Sequence, residues 1–430
     1  MGFRGRAAAL VACLAAVALA TPAAAGAATC AVPSAGYPTV ESAINDVSCN
    51  PINIGPGTYT AMVSYQLNRG VTISGAGAGA TTLRSTGAND VISVLGGQNV
   101  AIGDLTITSA GGRGISSSSV NNNVLLARSV VRDISGTSVG AGINSLGSLA
   151  VVDSTISGNS TTGGSGSGVS FSGSLNQTAT FERVLFANNH ENGPTGDGGG
   201  LSINSSGTAN LTNVTFTGNT ANADGGGIKI NGSGTTTFNG VTISSNFADN
   251  DADGSGDGGG IATNGTVKVS VANTILALNT DKSGGAPDCR TQSGIAPVTR
   301  LGYELLGNPT GCTFGGTGDS ATGLIGGNPL LGPLAANGGP NQTLALLTGS
   351  PAIDTGNPAT PGSGGSACPA TDQRGVARGG TAGRCDLGAF EAPGVATTAK
   401  KKCKKKKKHK HHAAAAKKHK KKCAKKKKRH

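Results

Sequence analysis

Hydrophobic and polar positions alternate in short runs through most of this chain. Val-Thr-Phe at 214–216, Ile-Lys-Ile at 228–230 and Thr-Val-Lys-Val-Ser-Val at 266–271 are typical. Each run is bounded by Gly, Asn or Ser, which predicts brief β-strands separated by tight turns. Between residues 71 and 290 no window shows the 3.6-residue spacing of a ten-residue amphipathic helix. The runs also repeat. An apolar residue follows a glycine run at Ile115, Ile143, Val169, Leu201, Ile228 and Ile261, in steps of 28, 26, 32, 27 and 33. A strand-rich repeat of that elastic length predicts one coil of a solenoid per repeat, with insertions looping out on one side. The expected fold is therefore all-β: a single-stranded, right-handed parallel β-helix occupying residues 71–290.

Asparagine recurs in phase with this pattern. Asn159, Asn189, Asn219, Asn246 and Asn279 each stand three positions after an apolar residue: Ile156, Phe186, Phe216, Ile243 and Leu276. Equivalent residues of stacked coils lie about 4.8 Å apart. Amide side chains can therefore bond up and down a column, which predicts a structural turn ladder rather than a row of ligand contacts. Asn also tolerates the positive φ that coil corners demand.

The paired [Phe/Ile]-x-x-Asn and Gly-Gly-Gly-[Ile/Leu] motifs resemble the repeats of polymorphic outer-membrane proteins, over roughly residues 140–290. That resemblance implies an exported β-helical surface protein of adhesin type. Upstream, Thr39 stands as a candidate N-cap before Val40, Ala43, Ile44 and Val47 at helical spacing. Ile-Asn-Ile-Gly-Pro-Gly-Thr-Tyr at 52–59 then reads as the first strand and turn. This order resembles the opening of pectate-lyase-like β-helices and implies a cap over residues 29–70, where an open solenoid end needs cover.

The first 28 residues read as an export signal: Arg4 and Arg6, an apolar run to Ala20, Pro22, then small residues. Leu-Val-Ala-Cys at 10–13 resembles a lipoprotein box but interrupts the apolar run early. Beyond Cys13, the other eight of the nine cysteines fall in local pairs: Cys30 with Cys49, Cys289 with Cys312, Cys368 with Cys385, and Cys403 with Cys423. An even, paired set in an exported chain reads as disulfides, with zinc ligation as the rival.

Composition changes one inference. The formal charge of +13 suggests a polyanion-binding protein, but 19 of the 35 Lys and Arg lie in Lys400–His430, which contains no acid. Setting those and the leader's two Arg aside leaves 14 basic residues against 22 acidic, about −8 for the body. The basicity belongs to the tail, residues 393–430, expected to be disordered by self-repulsion. It offers electrostatic retention on anionic envelope polymers, lipids or extracellular DNA, released by salt. Its His409, His411, His412 and His419, with its cysteines, leave metal capture open.

Candidate chemistry in the body is sparse. Asp249, Asp251, Asp253 and Asp257, with Gly254 between, place acids at positions 1, 3, 5 and 9 of a loop. This is the pattern of a hard-cation site and makes them candidate structural Ca²⁺ ligands. No cofactor is otherwise required. Asn279-Thr280-Asp281 resembles one short motif of polygalacturonase-like hydrolases, but that family's paired Asp-Asp, Gly-His-Gly and Arg-x-Lys are missing. Trp is absent and Tyr37, Tyr59, Tyr65 and Tyr303 are scattered, so no aromatic sugar platform is visible.

After Cys289 the pattern changes. Asn-Pro-Leu-Leu-Gly-Pro-Leu from 328, Asn-Gly-Gly-Pro-Asn-Gln-Thr from 337, Gly-Ser-Pro-Ala-Ile-Asp from 349, Asp-Gln-Arg-Gly from 372 and Cys-Asp-Leu-Gly-Ala-Phe-Glu from 385 follow in order. Together they closely resemble the choice-of-anchor Q domain of bacterial surface proteins, within a module at 291–392. Asp354, Asp372, Arg374, Asp386 and Glu391 are expected to make turn bonds and an Asp–Arg pair closing the solenoid end. The combined expectation is a secreted, non-catalytic bacterial surface scaffold whose body ligand is open. The alternative is a polysaccharide lyase or hydrolase on the same scaffold.

Overall fold

A computed structural model describes residues 30–108, 111–292, 297–315, 323–379 and 383–393. The leader and the tail lie outside the described residues. Four parallel sheets of 12, 11, 6 and 9 strands run along the body, here sheets I, II, III and IV in the order a coil visits them. A typical coil runs Ser148–Val152, Thr155–Ser157, Ser160–Thr161 and Val169–Phe171. The nine strands of sheet IV mark about nine turns of a right-handed parallel β-helix.

The register explains why the alternation folds this way. In sheet I, Ile52, Ile73, Ile102, Leu126, Val151, Phe181, Leu211, Phe238 and Val271 pair in unbroken succession. Every member is at most 3 % exposed. A one-residue slip would turn this whole column outward, so burial pins the register. The Phe186 and Phe216 rings stack with centroids 4.5 Å apart, and Phe181 meets Phe186 edge-on at 5.5 Å. Leu126 and Val131, rather than their apolar neighbours Leu125 and Val130, belong to the main core cluster. Ile275 is buried on the outer face of sheet II, beneath the C-terminal module.

The amino-terminal cap contains one helix, α1 (Val40–Asn45). Thr39 and Ser42 form a reciprocal capping box, and Val40, Ala43 and Ile44 are buried. Arg69 donates to the carbonyls of Ala43, Ile44, Asp46 and Cys49, satisfying groups the short helix leaves open at its C-terminal end. Val47 falls beyond the helix and is 83 % exposed.

Three of the four expected disulfides are present, joining Cys30 to Cys49, Cys289 to Cys312 and Cys368 to Cys385. The fourth expected pair, Cys403 with Cys423, lies outside the described residues.

The C-terminal module does not close the solenoid end. Its first segments, Val298–Arg300, Leu305–Leu306, Phe314–Gly315 and Leu324–Ile325, continue sheets I and II, so the coils run beyond residue 290. The rest, from Leu331 on, lies along the outside of sheet II. Asn341 receives a hydrogen bond from Thr155 and donates to the Arg183 carbonyl; Gln373 meets Thr215, and the Ala389 N–H donates to Thr242. Asn213, Asn239 and Asn273 donate to the carbonyls of Thr371, Ala367 and Ser366. Leu346, Ala352, Leu387 and Phe390 pack on Ile275, Ala277 and Leu305. The apolar outer face of the later strands of sheet II requires this cover.

Candidate functional site

The corner between sheets I and II sets where the module docks. Asp104, Arg128, Asp153, Arg183, Asn213 and Asn273 all have φ between 48° and 58°. In the earlier coils this column is ionic: Arg128 pairs with Asp104, and Arg183 with Asp153 and Glu182. Under the module it becomes amide, at Asn213 and Asn273, which can donate to and accept from the module's groups at once. Arg378, with its side chain fully buried, bridges Asn213 Oδ1, the Gly388 carbonyl and Glu391. Asp372 and Arg374 pair, and Arg374 lies 3.7 Å over the Phe390 ring. Asp386 accepts the N–H groups of Asp354 and Ala392, while burial pushes its carboxyl up to about 6. These acids are spent on the module's own backbone and arginines.

The asparagines of the second motif form a continuous internal ladder. Each Nδ2 donates to the next Oδ1 at 2.8–2.9 Å along Asn159, Asn189, Asn219, Asn246 and Asn279. Each also donates to a carbonyl of the preceding coil, from Val131, Ile156, Phe186, Phe216 and Ile243. All five are at most 6 % exposed, so none faces a ligand. The positive φ falls one residue earlier than the sequence reading placed it, on Gly158, Asn188, Gly218, Ser245 and Leu278. Asp288 ends the ladder: its Oδ1 accepts both the backbone N–H and Nδ2 of Asn279 at 2.9 Å. With every amide pointing the same way, the chain of donors ends on a carboxylate, the acceptor best suited to aligned N–H dipoles. Burial raises the Asp288 carboxyl above its ordinary range. Sequence reasoning missed this residue because it lies nine positions past Asn279, outside the repeat.

A second column stands at the turns entering sheet IV. Asp197, Asp224 and Asp257 each precede a glycine at φ 69°, 71° or 73°. That left-handed turn brings the next residues close beneath: a Cβ on Gly225 would meet the Ile228 carbonyl at 2.4 Å. Asp197 Oδ1 accepts the Asp224 N–H at 3.0 Å, and Asp224 Oδ1 accepts the Asp257 N–H at 2.9 Å. Lys229 pairs with Asp224 and Asp197, and Arg290 with Asp257. Burial holds the Asp197 carboxyl above the usual range, opposed by Lys229. The alternating column is recognisable in sequence only through its Asp-Gly-Gly-Gly repeats; the two cations sit at unrelated offsets.

The acidic loop is only partly assembled. Oxygens of Asp249, Asp251 and Asp253 lie within 4.8 Å of one another. Asp257 is diverted to Arg290, so the expected fourth ligand is not in the group. Asp249 is buried and its Oδ1 accepts the Gly254 N–H; Asp253 accepts from Ser255. The residues present can offer three carboxylates to a hard cation.

Asp281, of the hydrolase-like triplet, is 5 % exposed. Its two oxygens hold Ser283, Gly285 and Ala286 through their N–H groups. Glu191 occupies the equivalent place earlier in sheet III and is fully buried. It accepts from Gly193 N–H and Ser167 Oγ, and burial pushes its carboxyl up to about 7. Both acids staple the loops that follow them.

These features define a parallel β-helix with a module docked along its side. No family profile matches the sequence, and no curated protein does. Among solved structures, the chain is similar to pectate lyase Pel9A at 15 % identity and a TM-score of 0.43, over 85 % of this chain and 97 % of that one. It is also similar to the catalytic domain of a GH87 alpha-1,3-glucanase in complex with tetrasaccharides, at 14 % identity and a TM-score of 0.30, over 72 % and 68 %. Likeness at this level carries no activity with it.

Proposed function

We propose that this protein is a non-catalytic, exported bacterial surface scaffold, retained on anionic envelope polymers or lipids by its polybasic tail. The observation that carries the reading is the state of the body's acids. Glycoside hydrolysis needs two carboxyls open to one substrate bond. Here Asp224, Asp281, Asp288, Asp372, Asp386 and Glu391 accept from the protein's own N–H groups, and Lys229 and Arg290 are paired with aspartates. Such acids build a rigid body and leave no matched acid–base pair among them. The basic tail supplies the attraction: 19 Lys and Arg against a body of opposite net charge.

The test is fractionation of cells producing the full chain or a version ending at Ala399, washed through a salt series. Retention of the full chain, its release at high salt and escape of the truncated form support the reading; release of both at low salt refutes it. Nuclease release in place of salt release would identify extracellular DNA as the support. A parallel screen on pectin, alginate and neutral glucans should give no product. Product formation would replace the scaffold reading with the polysaccharide-acting one.

A further inference from the structure

Among the described residues Lys229 is the one lysine with a buried side chain, 6 % exposed, in the outer row of sheet IV. Its Nζ stands 2.5 Å from Asp224 Oδ2 and 3.6 Å from Asp197 Oδ2. The other oxygen of Asp224, Oδ1, is held by the Asp257 N–H at 2.9 Å, with Arg290 Nη1 at 4.0 Å. Three elements of acyl transfer thus meet. An amine lies against one carboxyl oxygen, a backbone N–H and a nearby guanidinium face the oxygen that would gather charge, and a second carboxylate can move protons.

The geometry points to a self-formed amide cross-link between Lys229 Nζ and Asp224 Cγ. The Lys229 ammonium gives a proton to Asp197, and the freed lone pair forms the Nζ–Cγ bond. Charge collects on Oδ1, facing the Asp257 N–H and Arg290. Asp197 returns its proton to Oδ2, takes a second from the nitrogen and passes it to the same oxygen, and the Cγ–Oδ2 bond breaks to release water. One ammonium and one carboxylate become one amide and one water, so charge and atoms balance without a co-reactant. Burial favours this outcome, because an enclosed ion pair bears a desolvation penalty that a neutral amide does not. The raised carboxyl of Asp197 suits it to carry the proton. The bond would join the Asp-Gly-Gly-Gly turn to the strand Ile228–Gly232. It stands independently of the retention reading.

The experiment is mass spectrometry of tryptic peptides from denatured, reduced full-length protein. The expected product is one peptide, Val184–Lys268, uncut after Lys229 and lighter than its sequence by one water. Separate Val184–Lys229 and Ile230–Lys268 peptides at full mass would overturn the proposal, and this readout needs no variant to fold. Lys229→Arg keeps the charge pairing and should restore cleavage after position 229 with an unchanged circular dichroism spectrum. Asp197→Asn should lower the joined fraction early after synthesis, measured against total peptide. An unchanged fraction would remove Asp197 from the proton transfer.

Discussion

Replacing Asn219 with alanine should be among the most damaging single changes to the body. Asn219 is fully buried. Its Nδ2 donates to Asn246 Oδ1 at 2.8 Å and to the Phe186 carbonyl at 3.0 Å; its Oδ1 accepts Asn189 Nδ2 at 2.8 Å and the Asn189 N–H at 3.1 Å. Alanine removes all four. Asn246 Oδ1 keeps the Asn219 backbone N–H, and Asn189 Nδ2 keeps the Ile156 carbonyl. The Asn189 N–H, however, loses this acceptor at a fully buried position. An unmet buried group costs about 1–3 kcal/mol, and each lost net bond about 1 kcal/mol, so the total is about 3–5 kcal/mol. Urea unfolding followed by circular dichroism would read that loss. Hydrogen exchange would localise it, since a solenoid can open coil by coil, with Asn189 losing protection first. A loss below about 1 kcal/mol, or unchanged exchange at Asn189, would refute the ladder as a stabilising element. Asn219→Asp sharpens the test. An ionised carboxylate there would face the Asn246 Oδ1 and the Phe186 carbonyl, so its folded pKa should rise. That variant should then recover stability as pH falls, as Asn219→Ala should not.

Two further outcomes follow from the same geometry. Glu191, pushed up to about 7 from 4.5, binds its proton more tightly folded than unfolded. Stability should therefore fall as pH rises between those values, by at most about 3 kcal/mol, and Glu191→Gln should flatten that slope in urea titrations at pH 4.5, 6 and 7.5. Asn213→Ala removes partners of Arg378 and of the Thr371 carbonyl and should loosen the docked module by about 2–4 kcal/mol. Limited proteolysis should then cut within residues 362–379 while coils 71–290 persist; equal cleavage of wild type and variant would overturn the docking role.

The sequence by itself determined the coil. Strand alternation and stacking are local rules repeated in phase, so Ile156, Phe186, Phe216 and Ile243 could be assigned to the core from spacing alone, and the asparagines three positions later to a column. The structure pairs those apolar residues in register and bonds the asparagines to one another. Tertiary structure alone decided what depends on contacts between distant parts. Nothing local indicates that Asp288 ends the ladder, that Asp257 abandons the acidic loop for Arg290, or that Asn213 and Asn273 receive a module more than 80 residues downstream. The module's motifs predict its turns but carry no period matching the coils, so whether it covers the end or the flank is invisible in one dimension. Burial settles it: Ile275 and Leu305 leave an apolar strip on sheet II, and Leu387 and Phe390 remove that strip from water.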